Sequence, residues 1–109
     1  MDLHLKNQVV IVTGGSTGLG KAIASMLAAE GAKVAINYIV NPEVAEALAI
    51  ELHQRYGVET LAVYADVANE SDVFKMYELV EEKLGPVDFR TTFGPPMFIT
   101  TKAKTKDKR

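Results

Sequence analysis

Cysteine is absent from the 109-residue chain, which excludes disulfides, thiolate metal sites and a cysteine nucleophile. The absence agrees with a reducing compartment. No apolar run approaches the ~20 residues that a membrane span needs. The run Val9–Val12 is too short for the core of a signal peptide, and Asp2 precedes it where a positive charge is typical. We therefore expect a cytoplasmic protein without a membrane partner.

A strong excess of either charge is also lacking, because the net charge is −2. The composition therefore gives no general signal for nucleic acid, and no nucleic-acid partner is predicted. The charges are unevenly placed, however. Residues 1–89 carry 13 acidic and 6 basic side chains, whereas residues 90–109 carry 1 acidic and 6 basic ones. We predict one small domain over residues 1–89 and a basic, disordered tail over residues 90–109.

Two patterns alternate regularly along residues 8–89. Short apolar, β-branched runs predict strands at Gln8–Thr13, Lys33–Tyr38 and Thr60–Ala65, and a fourth from Val87. Between them, helical spacing of apolar residues predicts helices over 18–30, 42–56 and 70–84. The alternation predicts an α/β fold, a truncated Rossmann-type parallel sheet with three crossover helices. Right-handed crossovers give the strand order 3-2-1-4, with the first two helices on one face and the third on the other.

The helices carry recognisable faces and ends. In the first helix, the apolar residues at helical spacing are Leu19, Ile23, Met26 and Leu27. Gly31 and Gly57 are predicted to end the first and second helices. Asn41, directly before Pro42, is predicted to cap the second helix.

The stretch TGGSTGLGKA, residues 13–22, lies after the first strand, at the switch point where such folds bind ligands. From Gly14 it reads G-x-x-x-G-x-G, which is typical of a dinucleotide loop. From Gly15 it reads G-x-x-x-x-G-K, a P-loop that ends in Ala22, where Mg²⁺ binding needs Ser or Thr. A tight strand-to-helix turn without a ligand is the third interpretation. The missing hydroxyl at Ala22 disfavours the P-loop, although Asp66 could imitate its metal-holding aspartate.

Residues 3–89 resemble the short-chain dehydrogenase/reductase family. The resemblance is carried by LKNQVVIVTGGSTGLGKAIASMLAAEGAKVAINY, by ADV at 65–67 and by LGPVD at 84–88. It implies an oxidoreductase fold that binds NAD or NADP, with the glycine loop on the pyrophosphate and the aspartate on the adenine amino group. The cofactor-binding residues that it implies, together with those at the end of the second strand, are Gly14, Ser16, Thr17, Gly18, Leu19, Gly20, Asn37, Tyr38, Asp66 and Val67.

The end of the second strand bears on the choice between NAD and NADP. An acidic residue there would bind the ribose 2′-hydroxyl and repel a 2′-phosphate. Asn37 and Tyr38 occupy the position, and no acid occurs between Gly31 and Asn41. Thr17 and Ile39 stand where relatives that prefer NADP often carry a basic residue. The balance favours NADP.

The resemblance ends after Phe89. Arg90 and the residues after it replace the family's Asn-Asn-Ala-Gly stretch. None of the tyrosines at 38, 56, 64 and 77 is followed by a lysine four positions on, so the family's Tyr-x-x-x-Lys is absent from the 109 residues, and no catalytic residue is predicted. His4 and His53 are interpreted as solvent-facing.

Two hypotheses of different class follow. The chain is either a dinucleotide-binding fragment that is inactive alone, or a non-functional or self-associating product of a reading frame that shifted near codon 90. An open sheet edge and a half-covered sheet face would favour self-association and marginal stability.

Overall fold

The computed structural model describes residues 5–14, 18–86 and 99–101. Strands and helices alternate through most of this chain. Their bounds are β1 Val9–Val12, α1 Gly18–Ala29, β2 Lys33–Tyr38, α2 Pro42–Tyr56, β3 Thr60–Tyr64, α3 Glu70–Lys83 and β4 Ile99–Thr101. None of the helices in the described ranges is long and apolar enough to cross a membrane.

The first three strands form the parallel sheet that the sequence predicts. β2 lies between β1 and β3, and both pairings are parallel. Val10 of β1 is opposite Val34 of β2, which in turn is opposite Thr60 of β3. The carboxyl ends of all three strands therefore meet at one edge of the sheet, where the glycine loop begins.

The fourth strand differs from the prediction. On its other side, β1 pairs with β4, which runs antiparallel and places Thr100 opposite Ile11. The predicted parallel strand from Val87 lies outside the described residues, so α3 is not confirmed as a crossover. Ile99–Thr101 belong to the tail for which disorder is predicted, and that disorder stays a prediction. They pair with β1 because its outer edge presents backbone donors and acceptors, which this β-branched segment can pair.

Each sheet face has its own apolar core, as the crossover argument predicts. On one face, α1 and α2 pack over alternate strand residues that include Val10, Val34 and Ile36. On the other, α3 contributes Met76 and Val80 to a cluster with the intervening residues, Val9, Ile11, Ala35 and Val63. The four residues of β1 are all buried, because the sheet is covered on both faces there.

The predicted inner face of α1 is only partly correct. Leu27 is buried, but Leu19 is 60% exposed and Met26 is 55% exposed. The other buried residues of α1 are small, namely Gly20, Ala24 and Ala28. The helix therefore packs through these small residues together with Leu27, which leaves Leu19 and Met26 outside the contact.

Two of the three predicted helix ends, Gly31 and Gly57, are confirmed. Gly31 has φ 94°, and the N–H groups of Gly31 and Ala32 donate to Ala28 and Leu27, which is the Schellman arrangement. Gly57 ends α2 with φ 74° and donates to the carbonyl of His53. Asn69 caps α3 through its side chain.

The predicted side-chain cap at Asn41 is wrong. Asn41 adopts the left-handed conformation with φ 59°, and its side chain makes no capping hydrogen bond. An N-cap side chain reaches the first turn from the extended region, so the left-handed backbone takes it out of range. The backbone carbonyl of Asn41 still accepts from Val44 and Ala45.

Candidate functional site

The loop after β1 begins with a residue whose backbone conformation favours glycine. Thr13 is buried, and Gly14 follows it with φ 70°, a backbone conformation that side chains disfavour. Ser16 and Thr17 of the predicted site lie outside the described residues. Gly18 is the first residue of α1, so the positive end of the helix dipole lies at this residue.

Gly18 occupies open space. A Cβ added to Gly18 would meet no atom of the described residues within 4 Å, and its φ lies outside the left-handed range. Neither backbone conformation nor crowding by the described part of the chain therefore requires glycine here. Close approach of a ligand to the helix N-terminus would require it. Gly20, by contrast, is buried in the packing of α1 on the sheet.

Leu19 lies in the same first turn. Its side chain is 60% exposed and therefore points away from the core. Gly18 and Leu19 lie at the N-terminal end of α1, which is the positive end of the helix dipole and a place where an anionic group can bind.

Asn37 near the end of β2 is buried, with 2% exposure. Its side-chain amide donates to the carbonyls of Ala65 at 3.0 Å and Val63 at 3.4 Å. The sequence predicts Asn37 as a cofactor contact, but the structure places its amide between β2 and β3. The amide nitrogen is therefore engaged within the sheet, and the contact of Asn37 with a cofactor stays a prediction.

Tyr38 ends β2 beside its neighbour in the sheet, Tyr64. The two rings pack edge to face, with centroids 6.1 Å apart. Tyr64 is 53% exposed, and Ile39 and Val40, which follow Tyr38, are exposed as well. This end of the sheet is therefore apolar, aromatic and open to a planar ligand.

Asp66 and Val67 follow β3 in a turn, and both are half-buried. The Oδ1 atom of Asp66 accepts from the N–H of Ala68 at 3.0 Å. The N–H of Asp66 donates to Oδ2 of Asp72 at 3.2 Å. The aspartate is thus oriented by hydrogen bonds from its own turn and from the start of α3.

The structure brings most of the predicted residues to one edge of the sheet. Gly14, Gly18, Leu19 and Gly20 lie after β1, Tyr38 ends β2, and Asp66 and Val67 follow β3. Which of them contact a ligand remains a prediction. Sequence reasoning missed the contribution of Asp72, whose position in the first turn of α3 looked like an ordinary helix start.

Other features of the described chain lie elsewhere. A groove of about 600 Å³ is bounded by Ile50 and His53 of α2, Leu61 of β3 and Lys83 of α3. It lies beside the far strand β3, away from the glycine loop. Within the described ranges, no group of three or more His, Asp or Glu residues is placed to hold a metal ion.

Comparison with known proteins gives the same match at several levels. Residues 8–90 match the family model for short chain dehydrogenase. The chain is 40% identical over 86 residues to the short-chain dehydrogenase/reductase homolog YusS of Bacillus subtilis, covering 79% of this chain and 78% of that protein. It is 42% identical over 82 residues to the 3-oxoacyl-(acyl-carrier-protein) reductase FabG of Staphylococcus epidermidis, covering 75% of this chain and 33% of the reductase.

Solved structures match as well. L-sorbose reductase from Gluconobacter frateurii, in complex with NADPH and L-sorbose, superimposes with a TM-score of 0.71 at 32% identity, covering 79% of this chain and 32% of that one. A blue fluorescent protein from a metagenomic library, in complex with NADPH, gives a TM-score of 0.71 at 42% identity, covering 77% of this chain and 34% of that one.

The chain thus spans about a third of the length of these reductases, but most of the length of the Bacillus protein. The matched region includes the three parallel strands, the glycine loop and Asp66. The resemblance noted in the sequence is confirmed, and the chain belongs to the short-chain dehydrogenase family.

Proposed function

We propose that this chain binds NADPH or NADP⁺ along the edge formed by the carboxyl ends of β1, β2 and β3. The proposal rests on one observation at Gly18. A Cβ added there would meet no atom of the described residues within 4 Å, yet the residue is glycine. A bound pyrophosphate at the start of α1 explains that glycine, because only glycine lets the backbone approach it closely.

In this proposal Gly14 forms the tight turn, Leu19 offers its backbone N–H group, and Asp66 and Val67 receive the adenine. Ser16 and Thr17 complete the loop. Family membership favours this over a P-loop, and Ala22 lacks the hydroxyl that Mg²⁺ binding needs. The nicotinamide of such a cofactor supplies hydride chemistry when bound.

NADP is favoured over NAD for two reasons. No acidic residue ends β2, so nothing there repels a 2′-phosphate. L-sorbose reductase and the blue fluorescent protein were solved in complex with NADPH, and another similar structure is that of the NADPH-dependent 3-quinuclidinone reductase from Rhodotorula rubra, at 33% identity and a TM-score of 0.71, covering 77% of this chain and 31% of that one.

We propose binding without hydride transfer for these 109 residues assayed alone. They contain no Tyr-x-x-x-Lys, the arrangement that the family resemblance associates with proton exchange at the substrate oxygen. The purified chain should bind NADPH and should not oxidise it in the presence of ketones or 3-oxoacyl thioesters.

Titration of NADPH fluorescence with the purified chain tests the proposal. Saturable binding is expected for the wild type, and Gly18→Asp should abolish it, because its carboxylate would occupy and repel the pyrophosphate position. Glu70→Ala, a surface change on α3, is the control. Absence of wild-type binding up to millimolar NADPH, or binding of ATP that requires Mg²⁺, would reject the dinucleotide site.

Self-association is a second proposal, favoured by the exposed apolar side chains of the helices. Phe74 of α3 is 69% exposed, and Ile50 of α2 and Met26 of α1 are each more than half exposed. Large exposed apolar side chains favour contacts with another chain when they are grouped. Light scattering after size-exclusion chromatography should show a species larger than the 11.9 kDa monomer, and a monodisperse monomer at high concentration would contradict it.

A further inference from the structure

We propose that Asp72 and Asn37 are positioning residues that hold the Asp66–Val67 turn in the conformation that receives an adenine ring. The inference rests on the dinucleotide site proposed above and deepens it. It assigns a role to two side chains that the sequence analysis did not place in the adenine subsite.

The first observation concerns the cap of α3, whose hydrogen bonds differ from the reciprocal pair of a common capping box. Asn69 caps α3, and its Oδ1 accepts from the N–H of Asp72 at 3.0 Å. In the common capping box, the side chain at the position of Asp72 would return to the N–H of the cap residue. Here the N–H of Asn69 donates instead to the carbonyl of Asp66 at 2.8 Å. The carboxylate of Asp72 reaches further back and accepts from the N–H of Asp66.

These contacts close a ring of three hydrogen bonds. Asp66 donates to Asp72, Asp72 donates to Asn69, and Asn69 donates to Asp66. The Oδ1 atom of Asp66 is held as well, by the N–H of Ala68. The backbone N–H, the carbonyl and one carboxylate oxygen of Asp66 therefore all have partners, which sets the direction of its side chain before any ligand binds.

The second observation fixes the other end of the turn. The buried amide of Asn37 donates to the carbonyl of Ala65, the residue directly before Asp66. A longer hydrogen bond from the same amide to the carbonyl of Val63 also holds the end of β3. The N–H of Ala65 donates to the carbonyl of Tyr38, so β2 holds both the N–H and the carbonyl of Ala65. A buried amide in an apolar strand is costly unless its donors are satisfied, and these carbonyls satisfy them.

Preorganisation gives this arrangement a function beyond stability. A carboxylate that already points in the binding direction accepts a ligand's amino group without the cost of ordering its own turn. Loss of Asp72 should therefore weaken the hydrogen bond to the adenine amino group more than it weakens the rest of the cofactor contact. Discrimination between two cofactors that differ only in that amino group measures this effect directly.

The experiment compares NADPH with its deaminated analogue, in which hypoxanthine replaces adenine, by fluorescence titration. Wild-type protein should bind NADPH about tenfold more tightly, which corresponds to one charge-assisted hydrogen bond. Asp72→Ala should reduce this ratio to less than about threefold. Asp72→Asn, which keeps an acceptor oxygen, should retain the preference, and Glu70→Ala in the same helical turn serves as the matched control for charge.

A second readout does not involve the cofactor. In the free protein, amide hydrogen exchange at Asp66 should quicken at least tenfold in Asp72→Ala and stay near wild type in Glu70→Ala. Asn37→Ala should quicken exchange at Asp66 in the same direction, and if that variant does not fold, Asp72→Ala alone decides the test.

The outcomes separate the two proposals. If wild type binds neither cofactor, the dinucleotide site fails and this inference fails with it. If wild type binds both cofactors equally, or if Asp72→Ala weakens both by the same factor, the dinucleotide site stands and the positioning role of Asp72 is overturned.

Discussion

Tyr38 and Tyr64 pack edge to face across the ends of two parallel strands, with an angle of 67° between the ring planes. They are direct neighbours in the register of β2 and β3. Tyr38 also packs against the core under α1 and α2, whereas Tyr64 stays half in solvent. The pair therefore joins the outer strand β3 to the interior at the end where the proposed site lies.

This pair gives a prediction about stability. The double-mutant cycle of Tyr38→Ala and Tyr64→Ala should show a coupling free energy of about 0.5–1.5 kcal/mol, because edge-to-face rings attract each other beyond the area they bury. Urea unfolding of the four proteins measures it. Purely additive losses would mean that the two rings pack independently.

Gly18 and Gly57 allow the effect of backbone conformation on stability to be separated from the effect of crowding around the residue. An added Cβ would meet no described atom within 4 Å at either Gly18 or Gly57, but only Gly57 has a positive φ, of 74°. We expect Gly57→Ala to lower the free energy of unfolding by about 1–2 kcal/mol, since left-handed backbone disfavours a Cβ. Gly18→Ala should leave it unchanged or raise it, because alanine is the better helix former.

Thermal or urea unfolding measures both variants, and NADPH titration completes the comparison. Gly18→Ala is expected to weaken cofactor binding although it folds well, whereas Gly57→Ala should bind normally once folded. Equal destabilisation by the two substitutions would contradict the assignment of strain to Gly57 alone.

The sequence was sufficient to predict the three parallel strands and two of the helix ends, because the residues that determine them are close together in the chain. β-branched runs such as KVAINY make strands, and Gly31 and Gly57 end helices through their own backbone freedom. The inner face of α1 was harder to predict. Helical spacing fitted Leu19 and Met26 as well as the small residues, and only the close packing of the helix on the sheet selects the latter.

The remaining features depend on partners that are distant in the chain. β4 forms because the outer edge of β1 is available, and a run of three residues carries no signal of that. The bonds of Asn37 reach carbonyls 26 and 28 residues away, so its position inside a strand could not reveal them. The glycine loop was found from its glycine spacing and its place after the first strand, whereas the adenine role of Asp66 was taken from the family resemblance.

The position after Tyr38 provides a test of cofactor preference. Ile39 is 50% exposed and uncharged. Ile39→Arg should tighten NADPH binding about tenfold, because a guanidinium adds a charge-assisted hydrogen bond to a 2′-phosphate. It should leave NADH binding nearly unchanged, since NADH lacks that phosphate. Ile39→Asp should weaken NADPH binding by repulsion.

Parallel fluorescence titrations with the two cofactors measure this preference, with Val40→Arg, one residue further on, as the control for added charge alone. An equal gain for NADPH and NADH in Ile39→Arg would show that the arginine does not reach the 2′-position, and the placement of the ribose beside the end of β2 would then be wrong.

The outer edge of β1 is the last feature with a measurable consequence. The pairing with β2 directs the backbone groups of Val10 and Val12 toward β2, because Lys33 donates to Gln8 and the ladder alternates from there. The backbone groups of Ile11 therefore point to β4, and Ile11 is opposite Thr100. In an antiparallel pair this makes Ile11 and Thr100 partners that exchange hydrogen bonds, while Thr101 points its N–H away from β1.

Thr100→Pro should accordingly remove one ladder hydrogen bond and uncover the edge of β1, whereas Thr101→Pro should remove none. We expect Thr100→Pro to lower the free energy of unfolding by about 1 kcal/mol and to increase the mass-average size in light scattering. Thr101→Pro, the same change one residue further on, should have smaller effects on the free energy of unfolding and on the mass-average size. If the two variants behave alike, β4 does not protect the edge of β1, and association of this chain must arise from its exposed helix surfaces instead.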